Sequence, residues 1–131
     1  MISSWCSALI IDDTAAVRSY LCQILKHLGV GPVYEAADGY QGTLLFNQHK
    51  PHMVFLDIQL PDVNGRQLLR QLKQQQPDCQ VFICSAYSSV ENLKDAVAGG
   101  AGAFIVKPFA SERIHQVVQP VLKANRASMP G

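Results

Sequence analysis

The stretch Met53-Val54-Phe55-Leu56-Asp57-Ile58-Gln59-Leu60-Pro61 constrains this chain more than any other. Four apolar residues run into a single aspartate, and a proline follows four positions later. An apolar run of that length is what a strand buried on both faces requires, as in a parallel sheet. A carboxylate inside such a strand would be costly to desolvate. At the carboxyl end of the strand it faces the crevice where open parallel sheets place their ligands. Asp57 is therefore either a turn or capping residue or a reactive group.

The rest of the chain repeats this pattern. Residues 6–11 read as a first buried strand closed by Asp12-Asp13. Val17, Leu21, Ile24, Leu25 and Leu28 then recur at helical spacing, and Gly29, Gly31 and Pro32 end that helix. Residues 33–36 form a short second strand. Asp38-Gly39 opens a second helix to about His49, with Leu44 and Leu45 inward. Residues 52–56 are the third strand, and a loop through Asn64-Gly65 leads to a third helix carrying Leu68, Leu69 and Leu72. Residues 80–84 are the fourth strand, ending in Ser85. Ser88-x-x-Glu91 looks like a capping box for a fourth helix with Val90, Leu93 and Val97. Residues 103–106 are the fifth strand, followed by Lys107-Pro108-Phe109. Ser111 caps a fifth helix with Ile114, Val117, Val118, Val121 and Leu122, which Pro120 is expected to kink or end early.

Five alternations of strand and helix with short links predict an α/β fold: a five-stranded parallel sheet, doubly wound as (βα)5, with right-handed crossovers. At 131 residues the chain is one domain, expected over 1–125, with 126–131 a tail or the start of a linker. Its apolar fraction of 48% and charged fraction of 16% exclude a disordered segment. A net charge of +1 without a basic stripe argues against nucleic-acid binding. No apolar run reaches membrane-spanning length, and no secretory signal is visible at the N-terminus. Cys6, Cys22, Cys79 and Cys84 fit neither zinc nor a disulfide framework and read as reduced thiols of a cytoplasmic protein. His27, His49, His52 and His115 are scattered and read as surface or boundary residues.

In a parallel sheet all carboxyl ends lie on one edge. That edge collects Asp12, Asp13, Asp57, Ser85 and Lys107. Three carboxylates that close repel one another, and a divalent cation relieves the repulsion. All-oxygen ligation suits magnesium, which would hold a phosphoryl group in line with an Asp57 oxygen. An aspartate carboxylate is a competent nucleophile for phosphoryl groups. Lys107 would meet a phosphoryl oxygen, and Ser85 would offer a hydroxyl. Singly, each residue has a plainer role: Asp12-Asp13 as a helix cap, Asp57 as a turn residue, Ser85 as a cap, Lys107 as a surface lysine.

The ordered set Leu9-Ile10-Ile11-Asp12-Asp13, Val54 to Pro61 with Gly65, Ile83-Cys84-Ser85-Ala86 and Phe104-Ile105-Val106-Lys107-Pro108-Phe109 resembles the receiver domain of two-component response regulators, a flavodoxin-like fold of the CheY type. The resemblance implies that Asp57 is the phosphoacceptor. Asp12, Asp13 and Asp57, with the backbone carbonyl of Gln59, would hold Mg2+. Lys107 would contact the phosphoryl group, with a cis bond to Pro108. Ser85 and Phe104 would be the switch pair, and Gln59 and Tyr87 would flank the path of the hydrolytic water. Bulk at Tyr87 is expected to prolong the phosphorylated state. The implied donor is a sensor histidine kinase or histidine phosphotransfer protein. The implied output runs through the fourth helix, fifth strand and fifth helix to a downstream effector or fused output domain, with a phosphorylation-dependent dimer as one form. Gly102-Ala103, where charge-paired dimers carry acidic residues, weakens that form. No direct nucleic-acid or membrane partner is implied. The chain would be no enzyme beyond assisting its own phosphorylation and dephosphorylation.

Two other readings compete. One is the same fold as a constitutive docking module, which the full acidic and lysine set disfavours. The other is a small magnesium-dependent phosphohydrolase, which would place a second acid at position 59, where this chain has glutamine.

Overall fold

The computed structural model describes residues 6–87 and 89–127, with side chains through Asn125. Ten elements alternate along the chain: β1 (Ala8–Ile11), α1 (Ala15–His27), β2 (Val33–Ala36), α2 (Gly39–His49), β3 (Met53–Asp57), α3 (Gly65–Gln75), β4 (Gln80–Ser85), α4 (Val90–Ala98), β5 (Ala103–Val106) and α5 (Ser111–Ala127). The five strands form one parallel sheet in the order β2-β1-β3-β4-β5. The order reverses between β1 and β3, so the crevice at their carboxyl ends opens beside Asp12 and Asp57.

Alternation along each strand splits the core into two layers. Ala8, Ile10, Met53, Phe55, Phe82, Cys84 and Ile105 pack with Leu21 and Leu25 of α1 and Ile114, Val118 and Leu122 of α5. Leu9, Ile11, Val54, Leu56, Val81 and Ile83 pack with Phe46 of α2, Leu68, Leu69 and Leu72 of α3 and Ala96 of α4. β3 lies at the centre of the sheet, and all five of its residues are buried. Its apolar run is the consequence of having helices on both faces.

The structure corrects several expectations. Leu44 is 51% exposed, whereas Leu45 packs half-buried against the core as expected and Phe46 is the fully buried side chain of α2, whose Gly42 lies against Ile11. In α4, Val90 and Val97 are about 70% exposed and Leu93 faces out as well, so the apolar spacing marks the outer face. Ser88 lies outside the described residues; the cap of α4 is Ser89, whose side chain accepts from Asn92 N. Pro120 does not end α5, which runs on to Ala127. Its exposed ring costs one helical hydrogen bond, while Ile114, Val117, Val118 and Leu122 hold the helix to the sheet. The expected tail therefore begins inside α5, and residues 128–131 lie outside the described part. No helix among the described residues is long and apolar enough to cross a membrane.

Candidate functional site

Sheet register brings the chemistry together. Ile11 pairs with Leu56, so Asp12 and Asp57 each follow a matched pair at the ends of adjacent strands. Asp57 pairs with Cys84, and Ser85 with Val106, one step before Lys107. The ladder continues past the strands, with Asp12 N donating to Ala36 O and Lys107 N to Ser85 O. Period-two alternation then sets the faces. Asp12, Asp57 and Lys107 fall in phase with Ile10, Phe55 and Ile105, on the α1/α5 side. Ser85 falls out of phase with Cys84, on the side of Phe104 and α4.

Asp12, Asp13 and Asp57 each offer a carboxylate oxygen within 4.8 Å of the others. Asp12 and Asp57 are buried, and Asp13 is exposed at the mouth. Lys107 reaches across from β5: its Nζ lies 2.6 Å from Asp12 Oδ2 and 3.3 Å from Asp57 Oδ2. The other carboxylate oxygens serve the backbone. Asp12 Oδ1 accepts from Thr14 N, and Asp57 Oδ1 accepts from Gln59 N. Each aspartate thus makes a local turn contact with one oxygen and turns the other to Lys107. No buried side-chain polar atom among the described residues lacks a partner.

The charges are unbalanced. Burial pushes the Asp57 carboxyl above the usual value; Asp12 adds to this, while the Gln59 N–H and Lys107 pull the other way. For Lys107 burial alone would lower the ammonium, but the hydrogen bond and charge of Asp12, with Asp57, outweigh it and the net shift is upward. One ammonium, bonded to Asp12 and Asp57, thus stands beside a group of three carboxylates. The donor set is all hard carboxylate oxygen, which fits a magnesium ion better than a softer metal.

Ser85 is buried, and its Oγ accepts from Tyr87 N at 3.0 Å, a local turn contact rather than a contact to the acidic group. Phe104 is half-buried against the α4-side core, and Tyr87 is 57% exposed. The Lys107–Pro108 peptide is cis, as is Gly31–Pro32. The four cysteines form no disulfide among the described residues, and burial pushes the Cys84 thiol beside the site up to about 12.

Several supports carry no periodic signal in the sequence. Arg18 donates to the Asp12 carbonyl at 2.8 Å and pairs with Glu35 at 3.4 Å. The loop after β3 is tied to both neighbouring helices. Asp62 accepts from Gly39 N and Tyr40 N at the start of α2, and these bonds lower its carboxyl. Gly65 N donates to Ile58 O, and a Cβ there would lie 2.6 Å from Ile58 Cα and 2.7 Å from Asp57 O. Glycine is required at 65 because α3 starts against the backbone of Asp57 and Ile58. Beside Lys107, an apolar groove of about 370 Å³ is lined by Ala16, Val17, Tyr20, Ala86, Pro108 and Phe109.

The chain is similar to known proteins in sequence and in fold. The family model described as the response regulator receiver domain matches residues 8–119. The chemotaxis protein CheY of Bacillus subtilis is 34% identical over 114 residues, covering 87% of this chain and 95% of that one. CheY of Thermotoga maritima is 31% identical, covering 88% and 96%. A CheY-like receiver domain protein from Methanospirillum hungatei superposes with a TM-score of 0.87 at 26% identity, covering 95% and 99% of the two chains. The Borrelia burgdorferi complex of CheX, CheY, BeF3 and magnesium gives a TM-score of 0.83 at 30% identity, covering 88% of each. With its β2-β1-β3-β4-β5 sheet and the acidic group at the strand ends, this chain belongs to the response regulator receiver domain family.

Proposed function

We propose that Asp57 is the phosphoacceptor of a signalling switch, charged by a sensor histidine kinase or histidine phosphotransfer protein. The observation that carries this reading is the convergence of Asp12, Asp13 and Asp57 with Lys107 bonded to two of them. An Asp57 oxygen attacks phosphorus, the O–P bond forms as the P–N bond to the donor imidazole breaks, and the ring leaves with the electron pair and takes up a proton. Asp12, Asp13, Asp57 and the Gln59 carbonyl would hold magnesium, which neutralises charge on the transferring group.

Lys107 carries three donors and already faces Asp57 Oδ2, so it meets a phosphoryl oxygen with little movement. The Gln59 N–H keeps the other Asp57 oxygen oriented. The apolar groove beside Lys107 offers a docking edge to the donor. After transfer, Ser85 turns its hydroxyl from Tyr87 N towards the phosphoryl group, and Phe104 moves inward on the same face of the sheet. The change is read on α4, β5 and α5 by a downstream effector or output domain. The chain is a signalling phosphoacceptor that assists only its own phosphorylation and dephosphorylation. Exposed Tyr87 shields the phosphoryl group, so Tyr87→Ala shortens its lifetime several-fold in a dephosphorylation time course.

Incubation with magnesium and acetyl phosphate, followed by intact mass, tests the reading. A single phosphoryl adduct that disappears in Asp57→Asn is expected. No adduct and no magnesium binding would point to a constitutive docking module instead.

A further inference from the structure

α4 turns its apolar side outward. Val90, Leu93 and Val97 face solvent, Ala96 is its one buried residue, and the half-buried positions are Asn92 and Asp95. Little apolar area therefore fixes this helix. Arg66, in the first turn of α3, meets its polar inner side. Nη1 pairs with Asp95 Oδ2 at 2.9 Å, and Nη2 donates to Asn92 Oδ1. Asn92 Nδ2 in turn donates to the Tyr87 carbonyl at 3.0 Å, and Tyr87 N donates to Ser85 Oγ at 3.0 Å. An unbroken line of contacts thus runs from α3, through the first turn of α4, to the serine hydroxyl. At its other end Arg66 adjoins Gly65, which lies against the Asp57 carbonyl.

We infer that Arg66 and Asn92 are positioning residues that hold the β4–α4 loop, and with it the Ser85 hydroxyl, in the resting arrangement. The inference rests on the switch reading above. For Ser85 to reach a phosphoryl oxygen, either Tyr87 N loses its acceptor or the loop follows the serine. The Asn92 bond to the Tyr87 carbonyl, braced by Arg66, opposes the second course. Opening the clamp removes that opposition and shifts the population towards the phosphorylated arrangement. Because the Arg66–Asp95 pair is partly solvent-screened, the shift is a few-fold rather than a full conversion.

Beryllofluoride with magnesium, a non-covalent mimic of the phosphoryl group, provides the probe. Its affinity is measured by fluorine NMR titration for the unaltered chain, Arg66→Gln, Asn92→Ala and the double variant. Each single variant is expected to bind roughly threefold tighter. The double variant is expected to gain no more than either single, since both break one line of contacts. Amide exchange at Tyr87 and Asn92 should quicken in the single variants without the mimic, and urea midpoints taken alongside report folding. Mere structural damage weakens binding, so tighter binding separates the clamp from a packing role. Affinity unchanged or weakened in both single variants would overturn the clamp. Failure of the unaltered chain to bind beryllofluoride would overturn the phosphoacceptor reading and the clamp with it.

Discussion

At the scale of single residues, Asp57 is held at a cost. Its carboxyl is raised from 3.8, first by burial and then by Asp12. The folded state therefore binds that proton more tightly than the unfolded chain does. Stability associated with Asp57 is present at low pH and falls as pH rises from the unfolded value through the folded one. Above that window the full penalty of the ionised group stands. Without magnesium, Asp57→Asn should therefore be more stable than the unaltered chain at pH 7, by a few degrees in thermal midpoint, and the gap should close below pH 4. Lys107 has the same pH sense, in a higher window and from the opposite cause: its carboxylate partners favour the ammonium, which stabilises the fold below 10.5, and this is lost as pH rises through the folded value. A second residue-scale prediction concerns Gly65. Gly65→Ala forces a Cβ against the Asp57–Ile58 backbone, and should lose about 2 kcal/mol in urea unfolding while slowing acetyl phosphate labelling.

At the scale of elements, β3 and α4 form a contrast. Every residue of β3 is buried, and Phe55 meets Phe82 with ring centroids 5.2 Å apart. Truncating Phe55→Ala should cost about 3–5 kcal/mol by the lost transfer energy and the cavity left behind. α4 is fastened by Ala96, Asn92 and Asp95 instead of by its valines. Val90→Ala and Val97→Ala should each change the unfolding free energy by less than about 0.5 kcal/mol, although their spacing is that of a core stripe. Urea denaturation of the three variants in one buffer checks both predictions. The outward valines, with half-exposed Val106 on β5, leave an apolar surface on the face proposed for output.

At the scale of the whole molecule, magnesium and folding are linked. An ion that binds only the folded acidic cluster raises stability by mass action, so chelation should lower the thermal midpoint and Asp57→Asn should blunt that response. Thiol chemistry reports on the same cooperative core. Burial pushes Cys79 and Cys84 to about 12, so at pH 8 both should resist alkylation in the folded chain and react once urea unfolds it. Mass mapping of alkylated peptides distinguishes them from half-buried Cys22.

The alternation of elements, the parallel sheet and the acids and lysine at its strand ends are all legible along the chain. Buried runs and breaker residues are local signals, and the identities of Asp12, Asp13, Asp57 and Lys107 are read directly. The sequence also carried the possibility that Asp57 is a turn residue, which proved true of one oxygen while the other faces Lys107. Tertiary structure alone decided the helix phases, because a periodic stripe does not say whether a core lies beneath it. Leu44 and the α4 valines point outward for that reason. It alone decided how Arg18, Asp62, Arg66 and Asn92 brace the site, since each contact joins separate elements. And it alone set Ser85 on the α4 side of the edge that Asp57 and Lys107 share, because strand register, a non-local pairing, fixes which face each residue takes.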